Sequence, residues 1–185
     1  MFHRSERLLL RPGWIEDAAE MTARIADEAI VRNLARVPWP YREEHAIGWL
    51  SASKAPKLPT FLLTVPNEGG APIIGGCGLH EGPTGETEIG YWIARDWWGQ
   101  GFATEAARAV LAIARVLGHR RVLARHAADN PASGRVLRKA GFVPTGRVGN
   151  FFSLGRGAEI ASPEYVAELE ECMGDNDPRV LARAA

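Results

Sequence analysis

Apolar side chains recur every second residue in some stretches of this chain and every third or fourth in others, and the two periods divide it into strands and helices. ERLLLRP (6–12) has the length and flanks of a strand closed by a proline. Trp14, Ile15, Ala18, Ala19, Met21, Ile25 and Ala29 follow at helical spacing, with acids clustered early, and predict a first helix. After a proline-rich loop a second helix is expected from about Glu43 to Ser53. Residues 60–66, 72–80 and 86–94 read as an antiparallel meander, joined by the turns NEGGA and GPTG. From Ala103, positions 103, 106, 107, 110, 111, 114 and 117 form one apolar stripe that ends at Gly118. A strand (121–127), a short helix (130–140) and two strands turning at the Gly-Asn pair 149–150 come next. A last amphipathic helix is expected over Pro163–Met173, and the polar tail 174–185 is expected to fray.

A chain of 185 residues holds one sizeable core and is too short for two ordinary ones, so residues 1–173 are expected to form a single domain. With 22 basic and 22 acidic side chains there is no excess charge to hold nucleic acid or an anionic membrane, and any phosphate binding must be local. No apolar run approaches the roughly 18 residues of a membrane span, and the charged start MFHRSERLLLRP is unlike a signal peptide. A cytoplasmic location is the expectation. Cys77 and Cys172 stand far apart with no metal-ligand spacing around them, so neither a disulfide framework nor a metal site is indicated.

WWGQGFATEA (97–106) carries the first chemical signal. A helix start leaves backbone N–H groups unpaired and adds about half a positive charge, and Gly99 and Gly101 remove the side chains that would keep an anion away. No Lys-Ser or Lys-Thr pair follows these glycines, and no third glycine or ribose-binding acid appears, which disfavours an NTPase or a dehydrogenase. Gly90, inside the strand IGYWI, marks either a close backbone approach or a twist-relieving glycine in a core strand.

EIGYWIARDWWGQGFATEA, followed after one helix and one strand by DNPASGRVLRKAGF, resembles the GNAT superfamily of N-acetyltransferases. SERLLLRP and PWPYREEHAIGWL extend the likeness to its ribosomal-protein N-terminal (RimJ/RimL-like) branch, over about residues 4–160. The resemblance implies an α+β fold, a central, mostly antiparallel twisted sheet of about six to seven strands with helices on both faces. It implies an enzyme that uses acetyl-CoA, without a metal, and acetylates a primary amine. The expected acceptor is a protein N-terminus; a small amine such as an amino acid, polyamine or antibiotic, or a non-enzymatic acetyl-CoA-binding module, stays open. Many relatives dimerise, so a homodimer is among the expected assemblies.

The same resemblance assigns Trp98, Gly99, Gln100, Gly101, Phe102, Ala103 and Thr104 to the cofactor's pyrophosphate, with Trp98 standing where the superfamily has Gln or Arg. Main-chain groups of Tyr91, Trp92 and Ile93 would hold the pantetheine arm, and one N–H would polarise the thioester carbonyl. Glu88 is the expected base, with Glu86 and His80 as alternatives; Ser133 would protonate the leaving thiolate, because Leu137 occupies the position of the usual tyrosine. Asn130 would contact the pantetheine or a water, although Asn130-Pro131 is also a well-formed helix start. Arg135, Arg138 and Lys139 form a basic face that meets either nucleotide phosphates or solvent. Trp39 and Tyr41, with Arg32 and Arg36 nearby, are expected on the acceptor wall.

Overall fold

The structure is a computed structural model that describes residues 1–52 and 55–169. Among these residues eight strands form one open sheet: β1 (His3–Arg4), β2 (Leu9–Arg11), β3 (Thr60–Thr64), β4 (Ile73–Glu81), β5 (Thr87–Ile93), β6 (Arg121–Arg125), β7 (Val143–Ser153) and β8 (Ala158–Glu168). Their order across the sheet is β1-β2-β3-β4-β5-β6-β8-β7, and every neighbouring pair is antiparallel except β5 and β6. The two-residue β1 is the strand that the apolar alternation does not announce.

Alternation along the strands divides the core between two helical layers. Phe61 and Leu63 of β3 and Ile89 and Ile93 of β5 pack with α4 (Phe102–Val116) and α5 (Pro131–Ala140). Leu62 and Ile73 turn to the other face, against α1 (Ala18–Ile25), α2 (Glu28–Val31) and α3 (Glu43–Ser51). Ala106, Ala107, Val110 and Ala114 are fully buried, so the predicted stripe of α4 lies flat on the sheet, with small side chains that permit close approach. In α5, Asn130 accepts the Ser133 N–H, Pro131 occupies the first turn, and Gly141 ends the helix in the left-handed region at φ 106°.

Three expectations need correction. The first helix is not continuous: it breaks at Ala26, and Asp27 starts α2 afresh by accepting the Ala29 N–H. Gly149 and Asn150 are not a turn but mid-strand, paired with Ser162 and Ala161; the chain reverses at Leu154–Gly157, where Gly155 packs against Val31. Pro163–Glu168 is not helical, because β6 needs an antiparallel partner there and pairs from Arg121↔Glu168 to Arg125↔Glu164. Amphipathic helical spacing is outcompeted by a ladder of main-chain bonds that also buries Tyr165 and Ala167. The remainder of that expected helix and the tail 174–185 lie outside the described residues.

One irregularity positions the site. β5 is paired with β4 along its whole length, from Glu81↔Thr87 to Gly75↔Ile93. On its other edge it meets β6 only at Glu88↔Leu123 and Ile89↔Ala124. From Gly90 to Ile93 that edge has no partner strand among the described residues, and the sheet opens beside the start of α4.

Candidate active site

The loop from β5 to α4 is braced by side chains so that its amides stay free. Trp98 donates its indole N–H to the Ile93 carbonyl at 2.7 Å, tying the loop to the end of β5. Gln100 donates to Asp96 O, and its own carbonyl accepts from Arg7, whose guanidinium lies 4.2 Å from the Phe102 ring centre. Glu105 accepts from the Ser5 hydroxyl and from the Arg7 and Leu8 amides, fastening the N-terminal segment to the first turn of α4. Gly99 and Gly101 both hold positive φ, 75° and 85°. A side chain at Gly99 would project into open space. No hydrogen bond among the described residues uses the N–H of Gly99, Gln100, Gly101, Phe102 or Ala103 as donor, whereas Thr104 N–H is taken by Gly101 O. Five amides at this helix mouth are therefore without an acceptor among the described residues. Phe102 is buried as an anchor, and Thr104 lines an adjoining open cleft of about 530 Å³ with Arg7, Arg108 and Lys139.

Where the sheet opens, β5 faces α5. The Tyr91 hydroxyl lies 2.7 Å from Ser133 Oγ, and burial pushes this phenol far above its ordinary titration range. Ser133 sits in the first turn of α5, held by Asn130 Oδ1 at 3.2 Å, so the Asn130 side chain is engaged as the helix cap. Leu137 is fully buried in the core, and the phenol beside Ser133 is that of Tyr91 on β5. Of the basic face, Arg138 turns to the Tyr165 hydroxyl at 3.0 Å, while Arg135 and Lys139 are exposed.

On the opposite side of β5, Glu88 is buried, at 8% exposure, among charges. It forms an ion pair with Arg125 of β6, which also reaches Glu86 at 3.2 Å and Glu164 of β8 at 3.0 Å. The Thr84 hydroxyl, with lesser help from Arg125, holds Glu86 down at about 2. Burial alone would raise Glu164, but hydrogen bonds from Arg147, Arg125 and Thr145 keep it below the usual carboxylate range. His80 pairs with Glu88 across β4 and β5 and brings Nε2 to 3.5 Å from Glu88 Oε2.

The expected acceptor wall divides. Trp39 is exposed at 42%, whereas Tyr41 is buried in the second core against His45, and burial lifts its phenol to about 12. Arg36 is spent on the Glu81 carbonyl and Arg32 on Asp129, which Arg156 grips with two nitrogens. Glu88, Glu86 and His80 are thus brought together, as are Tyr91 and Ser133. Sequence reasoning missed Arg125, Glu164 and the Tyr91 side chain. Arg125 ends an ordinary strand segment, and only the β6–β8 register reveals that it faces three carboxylates.

The sequence profile described as Acetyltransferase (GNAT) domain matches residues 7–143, most of the chain. The chain belongs to the GNAT acetyltransferase family. It is an acyltransferase that uses acetyl-CoA, and no cluster of metal-binding side chains occurs among the described residues. Solved structures share the fold. A GNAT-family acetyltransferase from Bacillus anthracis superposes with TM-score 0.75 at 22% identity, covering 91% of this chain and 98% of its own. RimL, the ribosomal L7/L12 α-N-protein acetyltransferase solved with coenzyme A, gives 0.72 at 19% identity, covering 91% and 98%. The microcin C7 self-immunity acetyltransferase MccE, solved with acetyl-CoA and AMP, gives 0.72 at 16%, covering 89% and 94%. No curated protein matches the chain. No helix among the described residues is long and apolar enough to cross a membrane.

Proposed function

We propose that this GNAT enzyme acetylates the α-amine of a protein or peptide N-terminus. The observation that carries the reaction is the unpaired edge of β5 beside five undonated amides at the mouth of α4. A diphosphate suits that mouth, and an extended pantetheine arm suits the free edge. Gly99 to Ala103 are assigned to the pyrophosphate through their main chain, with Trp98 bracing the loop and Thr104 flanking it. Tyr91, Trp92 and Ile93 are assigned to the arm, one of their N–H groups polarising the thioester carbonyl as charge develops on oxygen.

Acetyl-CoA supplies an activated acyl group on a thiol. The protein's own task is to manage two protons. Glu88 forms the basic side of β5 and Ser133 the acidic side. An α-amine titrates near 8 and a lysine amine near 10.4, so an N-terminal acceptor is easier to use in its neutral form. Trp39, which is exposed, and Tyr41 are assigned to the acceptor wall. RimL, an α-N-protein acetyltransferase of the same fold, supports this acceptor. MccE has the same TM-score and acts in self-immunity to microcin C7, which favours a small-molecule amine as the second reading.

Incubation with acetyl-CoA across panels of peptides, amino acids, polyamines and antibiotics, with free thiol as readout, separates the two. Peptide-dependent thiol release that stops when the peptide N-terminus is blocked is the expected result; release with small amines alone would overturn the choice of acceptor. Within the site, Ser133→Ala and Tyr91→Phe are each expected to lower kcat about tenfold or more. Because the two hydroxyls act as one unit, the double variant should be scarcely worse than either single one. Additive losses would break that link.

A further inference from the structure

We infer that His80 is the group that takes the proton from the acceptor amine, with Glu88 serving as the carboxylate that orients it. The inference rests on the acetyl-transfer reading and refines the basic side of β5.

Glu88 has no open direction. Its Oε1 is sealed from solvent against Arg125, and its Oε2 faces His80 Nε2 at 3.5 Å. Only 10% of its side chain is accessible, against 37% for His80. An amine arriving from solvent therefore meets the imidazole first. The ring is also placed for the chemistry, because it lies along Gly90, the first residue of the unpaired edge. A Cβ at Gly90 would stand 3.3 Å from His80 Cε1 and 3.5 Å from Nδ1. Of the two explanations for this glycine, close approach is the one with a partner.

Glu88 beside Nε2 favours the tautomer with its proton on Nε2, leaving the Nδ1 lone pair to accept. A 3.5 Å contact shortens into a charge-assisted hydrogen bond once the imidazole is protonated. The amine lone pair attacks the thioester carbonyl carbon and an N–C bond forms; the proton lost from nitrogen goes to Nδ1. The C–S bond breaks, the thiolate takes a proton through the Ser133–Tyr91 pair, which regains one from water, and His80 releases its proton to water. The charged groups around the ring are Glu88 from β5, Arg125 of β6 behind that carboxylate, Glu81 next in β4, and Arg36, which reaches the Glu81 carbonyl.

The test uses the full chain with acetyl-CoA and the best acceptor found, comparing His80→Gln, His80→Ala and Glu88→Gln over pH 5.5–9. His80→Gln should lower kcat by about 100-fold, reduce the acidic limb of the kcat/KM profile to the ionisation of the acceptor amine alone and leave acetyl-CoA affinity within about twofold. Added imidazole should restore part of the His80→Ala rate. Glu88→Gln should keep the limb but shift it to lower pH, because losing a neighbouring negative charge makes the imidazolium less favourable. Full turnover in His80→Gln, or an enzyme ionisation in the limb that vanishes in Glu88→Gln and persists in His80→Gln, overturns the inference. Wild-type protein that releases no thiol with any amine would sink the acetyl-transfer reading instead. Retained acetyl-CoA affinity in each variant shows that the fold is intact.

Discussion

Gly99→Asp is expected to abolish coenzyme A binding at the concentrations used in calorimetry, an affinity loss of at least about 100-fold. Gly99 holds φ 75° with empty space beyond its Cα, so the new side chain would project into the mouth that the free amides face. A carboxylate there competes for the same N–H groups and repels an incoming diphosphate. Two unit charges about 4 Å apart at an effective dielectric constant near 20 interact by about 4 kcal/mol, more than the roughly 2.7 kcal/mol of a hundredfold change. Gly99→Ala separates backbone strain from charge and should cost about 1 kcal/mol or less of binding. Near-UV circular dichroism should be unchanged in both, because nothing packs against Gly99. If Gly99→Asp bound as tightly as wild type, the diphosphate would have to lie elsewhere.

The second large effect is on stability. Arg125→Met leaves Glu86, Glu88 and Glu164 facing one another without their shared cation, although Arg147 and Thr145 still serve Glu164. Removing one partner of a buried charge cluster typically costs about 3–5 kcal/mol, and a loss near the lower figure is expected at pH 7. The pH dependence has a definite sign. In the wild type Glu86, Glu164, Glu105, Asp17 and Asp129 all titrate below their ordinary values. Their stabilisation is present above about pH 4.5 and is lost as pH falls toward about 2. In Arg125→Met, protonation relieves repulsion within the cluster, so the stability gap between variant and wild type should narrow from pH 7 to pH 4. Chemical denaturation at several pH values measures this. A gap that stayed constant would mean that Arg125 acts through packing alone.

The legible parts of this protein are those with local causes. The apolar stripe of α4 repeats within one element, the Asn130-Pro131 start and Gly141 stop of α5 act within a single turn, and the glycine-spaced helix mouth at 99–101 is contiguous. The ordered motifs also pointed to the family whose profile matches residues 7–143. Period alone misled at Pro163–Glu168, where helical spacing yielded to pairing with β6, and at Gly149-Asn150, where a pair common in turns sits in a straight strand.

Amino-acid order alone indicated most of the helices and strands and the loop that offers free amides, because dihedral preference, capping and periodicity act over a few neighbouring residues, while the cofactor class followed from the family resemblance of the ordered motifs. Tertiary pairing settled the rest. The gap beyond Ile89↔Ala124 opens because β6 follows β5 only briefly, and Arg125 meets Glu88 and Glu164 because of strand register. Tyr91 reaches Ser133 because tertiary packing brings the first turn of α5 to β5. These neighbours lie about 40 residues apart along the chain, and which side chains face each other across a sheet depends on register, which no local run of residues specifies.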